Sequence, residues 1–350
     1  MTATEKMPLS QPRAAADARA AKTSGVVALL NLEAQIDGQE ARLAGGSLSA
    51  PEQNALIELV ALRGHILGRI ADYEWAAERA DELCRSCAED PLAWVTRARA
   101  RARFHRFDQA LADLEEARRL GADPCVINAE RAEILQATGE YEEALVHFRE
   151  SAERRADFAT LGALATLYAE RGEVTAAEQC FEASRSQYRG VSPIPLALLD
   201  FQRGHMWMVQ GEMSRAHAWL KAAHDSLPGY APAGGHLAEV EAKFGERDVA
   251  IDRLRTLAAS SDDPDYAATL ARILVEEDEE AARGWRAKAA ARYDDLIERH
   301  PEAFSDHAAA FLLDVGEDPH RALAFARANL EVRKTPRAYD LVRRAERAAK

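Results

Sequence analysis

The sequence predicts an all-α fold, a solenoid of stacked helix hairpins, and three observations carry that expectation. Small residues recur as anchors at Ala76, Ala110, Ala144, Ala177, Ala216 and Ala250, separated by 34, 34, 33, 39 and 34 residues. Ala, Leu, Glu and Arg dominate the 350 residues, against only 19 Gly and 13 Pro, as in helical proteins. Gly139, Gly172, Gly211 and Gly245 each stand five residues before an anchor, where a helix must end and turn. A period near 34 residues means units that cannot bury their apolar face alone and must stack.

The elements follow in order. Residues 1–24 carry Pro8, Ser10 and Pro12 with few large apolar residues, too little burial to offset the cost of ordering, and read as a flexible segment. Residues 25–56 read as a capping helix and linker. The helix over 25–43 breaks at Gly45-Gly46, and Ser49-Ala50-Pro51-Glu52 starts another, with Ser49 as N-cap. Six repeat units occupy 57–264, two divergent hairpins 265–334, and a capping helix 335–350 opened by Thr335-Pro336. The 39-residue step comes from Ser192-Pro193-Ile194-Pro195, whose prolines favour extended backbone and a loop at one edge of the array. The acidic run at 276–280 reads as a solvated face.

The units carry a finer pattern. Residues 91–124 supply Trp94, Ala98, Phe107, Ala110, Leu114 and Ala117; residues 125–158 supply Ala132, Leu135, Gly139, Tyr141, Ala144 and Phe148. Ala165, Tyr168, Gly172, Ala177 and Phe181 repeat it, then Gly204, Trp207, Gly211, Ala216 and Leu220, then Ala238, Gly245, Ala250 and Leu254. Over roughly residues 57–264 the chain resembles the tetratricopeptide repeat family. That resemblance implies a right-handed superhelical solenoid of tetratricopeptide helix hairpins. Small residues at positions 8 and 20 let paired helices approach, and large ones fill the gaps between hairpins. Position 7 departs from the pattern. It is Arg63, Arg97, Arg131 and Arg203 in four units, read as aliphatic stems packed between helices with paired or hydrated heads.

Composition narrows the function. A net charge of −13 argues against a nucleic-acid partner, which calls for a basic footprint. No apolar run suits a membrane span, so no membrane insertion is expected, and the cytoplasm is the default location. Cys84-Arg85-Ser86-Cys87 lacks the following His of a haem site and a second pair for zinc. No phosphate loop, G-x-S-x-G elbow or H-E-x-x-H appears, so the expectation is no enzyme, no resident metal and no cofactor.

The family resemblance implies that positions 2, 5, 6, 9, 12 and 13 of the first helix of each unit line a concave groove. Its N-terminal part then presents Arg69, Arg99 and Arg103 with His65 nearby, and its middle Glu130, Glu133 and Glu170. The arginines suit a carboxylate, which a guanidinium holds bidentately. The resemblance also counts against the Lys/Asn clamp of chaperone-binding relatives, since the matching positions lack Asn. A second patch combines Phe201, Gln202, His205 and Met208 with His236 and Glu239, an adaptable surface for a peptide or helix. The expectation is a non-catalytic protein–protein interaction scaffold that binds a peptide, carboxylate-bearing or not, or a partner helix. The alternatives are a copper-type Met/His protein and a recruitment accessory to an enzyme complex.

Overall fold

A computed structural model describes residues 23–350; the flexible segment expected over 1–24 therefore lies almost wholly outside the described residues. These residues form 18 helices and no strand. A single helix α1 (Gly25–Ala44) precedes eight hairpins. The first four are α2 (Ala50–Leu67) with α3 (Ile70–Ser86), α4 (Pro91–Arg103) with α5 (Phe107–Arg119), α6 (Pro124–Thr138) with α7 (Tyr141–Arg154), and α8 (Phe158–Glu170) with α9 (Val174–Gln187). The next two are α10 (Ile194–Val209) with α11 (Met213–Ser226) and α12 (Ala231–Lys243) with α13 (Arg247–Ser260). Then come α14 (Pro264–Leu274) with the long α15 (Glu279–Arg299), and α16 (Pro301–Asp314) with α17 (Pro319–Val332). Helix α18 (Pro336–Ala348) ends the chain.

Local chemistry sets these starts and stops. Asp90, Asp123, Asp263 and Asp318 each precede a Pro and accept a backbone N–H of the helix they open, so the Pro takes the place where an N–H would go unused. Ser49 and Glu52 form the capping box that opens α2. Inside the hairpins every anchor alanine is buried. A Cβ on Gly204 would lie 2.9 Å from Leu220 Cγ, so α10 and α11 meet too closely for any side chain there.

Three position-7 arginines do as expected. Arg63 grips Asp72 at 2.7 and 2.8 Å, and Arg97 grips Asp113 at 2.7 and 3.1 Å. Arg203 reaches back to Glu178 of the previous hairpin at 2.6 Å. Arg131 is exposed, with Glu143 at 3.9 Å.

The array coils tightly enough for its second half to seat on its first. Asp262 caps the first turn of α3, accepting from Ile70 N at 2.5 Å and Ala71 N at 3.0 Å, 192 and 191 residues away. His105 Nδ1 donates to the Glu302 carbonyl at 3.0 Å, 197 residues away. Lys334 N donates to the Thr138 carbonyl at 2.9 Å, and Arg333 Nε to the Ala137 carbonyl at 3.0 Å. In each case a turn within an early hairpin meets a junction between late ones. The extended loop expected at 192–195 is cut short, because Pro193 takes helical angles and Ile194 and Pro195 already belong to α10. Before it, Tyr188 Oη donates to Ser192 O at 2.6 Å, and Val191 O accepts from Thr23 N at 3.1 Å. Among the described residues no helix is long and apolar enough to cross a membrane.

Candidate functional site

A cavity of ≈ 860 Å³ opens where α1, α2 and the end of α4 come together. Leu59 and Leu62 give it apolar wall; Gln35, Gln39, Glu58, His65, Tyr73 and Arg103 give it polar groups. Helical periodicity explains the set, because Ala55, Glu58, Leu59, Leu62 and His65 fall at three- and four-residue steps on one face of α2. The volume lies within the range of about 300–1,000 Å³ usual for ligand sites. Gln39 Oε1 is buried there and hydrogen-bonds nothing among the described residues.

The arginines on this wall differ in what they are free to do. Arg99 donates to Glu130 Oε1 at 2.5 and 2.7 Å and to Glu58 Oε1 at 3.2 Å. Burial works against its charge, but those carboxylates outweigh it and raise its pKa. Arg103 has one ion-pair partner among the described residues, Glu58 at 3.6 Å, without a hydrogen bond. Arg69 stands at the α2–α3 turn, outside the cavity lining, with no ion-pair partner among the described residues. Glu133 is exposed at the surface yet densely surrounded by protein. Burial and the neighbouring Glu130 charge push its carboxyl up to about 7.

Coiling joins the two patches read separately from the sequence. His65 Nε2 and Tyr230 Oη are hydrogen-bonded at 3.1 Å across 165 residues. Tyr230 meets Phe201 edge-on at 5.3 Å between ring centroids, and Phe201 stacks on His236 at 5.6 Å. His205 lies 5.4 Å from His236. Burial, with the Arg103 charge behind it, lowers the His65 pKa to about 4. Burial and the neighbouring His236 do the same to His205. His236 Nδ1 donates to Glu239 at 3.0 Å, and Arg272 pairs with the other oxygen at 2.9 Å. Burial alone would raise Glu239, but these two partners hold it at about 2. Gln202 and Met208 are half-buried on α10, Met208 packed against the core.

Glu58, Gln39 and Tyr230 are the residues that reading the sequence missed. Glu58 occupies position 2, a groove position of the pattern, and that signal could have found it. Tyr230 meets His65 only through the coil, which a periodicity of single hairpins does not encode. Among the described residues no group of three or more His, Cys, Asp and Glu is placed to hold a metal ion. All four cysteines are unpaired, and burial pushes the Cys84 thiol up to about 11, away from thiolate chemistry.

No family model matches the sequence, and no curated protein matches it. Solved structures do match in fold. One is the human IFIT1 dimer with PPP-AAAA, 17% identical, covering 87% of this chain and 73% of that one, at a TM-score of 0.55. Another is the human IFIT1 dimer with m7Gppp-AAAA, 16% identical, covering 87% and 72%, at 0.52. A third is the APC/C hetero-tetramer Cut9–Hcn1, 13% identical, covering 92% of this chain and 55% of that one, at 0.51. The first two correct the exclusion of a nucleic-acid partner drawn from net charge. A solenoid of this architecture is solved with capped and triphosphate oligonucleotides, and what a groove presents is separate from the charge summed over the whole surface. The hairpin pattern, the helix order and these likenesses together show the fold: an all-α helical-repeat solenoid of the tetratricopeptide type.

Proposed function

We propose that the chain is a non-catalytic scaffold that holds an extended, carboxylate-bearing peptide segment against the wall formed by α1, α2 and α4. The cavity carries this reading. It pairs the apolar Leu59 and Leu62 with Arg103, a guanidinium only loosely engaged by Glu58 at 3.6 Å. An arginine in that state can take a carboxylate with two parallel hydrogen bonds. Behind His65, the buried rings of Tyr230 and Phe201 pack on to His236 and His205 and back the cavity from the core rather than facing a ligand. Arg99 acts as a strut, because Glu130 already satisfies it.

Selection from a random peptide display library tests the reading. Wild type is expected to enrich peptides with an acidic residue beside aliphatic ones, and Arg103→Glu to lose that enrichment. Enrichment without acidic residues, or unchanged by Arg103→Glu, contradicts it. A parallel titration with PPP-AAAA distinguishes the ligand class: saturable binding abolished by Arg103→Glu would replace the carboxylate by a phosphate.

A further inference from the structure

Resting on that reading of the cavity, we propose that Glu58 is an internal competitor for the ligand carboxylate, holding Arg103 in check until an acidic peptide displaces it. The carboxylate of Glu58 stands between two guanidinium groups, 3.2 Å from Arg99 Nη1 and 3.6 Å from Arg103 Nη2. The two arginines do not depend on it equally. Arg99 has a second carboxylate, Glu130, at 2.5 and 2.7 Å besides Glu58. Arg103 has no other ion-pair partner among the described residues. Glu58 therefore does for Arg103 what a bound peptide would do, from the same cavity wall.

The exchange favours an arriving ligand. An ion pair at 3.6 Å with no hydrogen bond, between side chains 36% and 29% exposed, is a weak contact. A ligand carboxylate free to approach the guanidinium fork forms two charge-assisted hydrogen bonds, the stronger arrangement. Displaced Glu58 retains its contact with Arg99, so no buried charge is left unpaired. The arrangement also selects. A neutral peptide cannot displace Glu58 from Arg103, and a ligand carboxylate meets repulsion from Glu58 unless its geometry compensates. The occupant is thus an acidic peptide with aliphatic residues beside the carboxylate, matched to Leu59 and Leu62.

Glu58→Gln keeps the side chain's size and removes the competing charge. Fluorescence anisotropy with a fluorescein-labelled Gly-Gly-Leu-Leu-Asp peptide, free at its C-terminus, is compared with an amide-capped Gly-Gly-Leu-Leu-Asn peptide. Full-length wild type, E58Q, R103Q and the double variant are titrated after thermal melts establish that each folds. The acidic peptide is expected to bind E58Q about tenfold tighter than wild type, the neutral peptide equally to both, and R103Q to erase the gain. Unchanged or weaker binding to E58Q, while wild type still prefers the acidic peptide, overturns the competitor role and leaves the cavity reading standing. No preference for the acidic peptide in wild type or any variant overturns both.

Discussion

Lys334 donates its backbone N–H to the Thr138 carbonyl at 2.9 Å, although 196 residues separate them, and this bond marks one full turn of the coil closing on the next. Gly139 beside it has φ +94°, and a Cβ there would lie 2.5 Å from the Lys334 carbonyl oxygen. Gly172, at the same position of the next hairpin, has φ +76° and nothing within 4 Å of its notional Cβ. Both positions favour glycine for the left-handed turn, but only Gly139 also needs the space. Gly172→Ala is expected to cost about 1 kcal/mol, from backbone conformation alone. Gly139→Ala should cost about 2 kcal/mol more through the clash. Urea unfolding of the two variants checks this, and equal costs would remove the seam from the account.

The period near 34 residues, the anchor alanines and the helix starts at Ser49 and Thr335 were legible because each is a local demand of a short stretch of chain. The position-7 arginines were half legible. Their need for a partner followed from burial, but Asp113 and Glu178 could be named only once helix packing was known. The coil was not legible. The contacts described join residues 165 to 197 apart, and no single repeat carries a mark of its neighbour one turn away. For that reason His65 and His205 read as members of two patches. The weight of Glu130 on Arg99, 31 residues away, went unseen because it depends on how neighbouring hairpins pack.

His105 holds the left-handed conformation, φ 55°, at the position where Gly139 and Gly172 stand in later hairpins. Its Nδ1–H bond to Glu302 holds it at the seam, and burial with the Arg333 charge lowers its pKa to about 4. The unfolded chain takes up a proton near pH 6.5 while folded His105 resists until about 4. Stability from this residue is therefore complete above pH 6.5 and lost as pH falls from 6.5 towards 4. Glu133, raised to about 7 chiefly by burial, and Asp263, raised by burial and the neighbouring Asp265 charge, act in the opposite sense by gaining stability as pH falls. His105→Gly should flatten the acid-side loss relative to wild type. Chemical denaturation at a series of pH values between 7 and 4.5 measures it, and parallel curves would count against the seam histidine.

Asp113 is buried and answers both Arg97 and Arg101, each at 2.7 Å at closest. Asp113→Ala leaves two guanidinium groups short of their partner and should cost about 3 kcal/mol. Glu115→Ala, two residues on at an exposed i,i+3 pair, should stay within about 0.5 kcal/mol. Thermal melts of the two variants separate a structural pair from a decorative one.

The His65–Tyr230 bond gives a second, independent measure of coil closure. Tyr230→Phe leaves His65 Nε2 without its partner and should cost about 1 kcal/mol. A double-mutant cycle with His65→Gln should return a coupling of at least about 0.5 kcal/mol. Additive effects would mean that the two residues do not meet in solution.

Calorimetric titration of the acidic Gly-Gly-Leu-Leu-Asp peptide into the full chain, at low and at raised salt, tests the central claim most directly. The account predicts one saturable site per chain, weaker at raised salt as screening reduces the pull of Arg103, and absent in Arg103→Glu. Binding that ignores both salt and Arg103→Glu, or that the amide-capped neutral peptide reproduces, would contradict it.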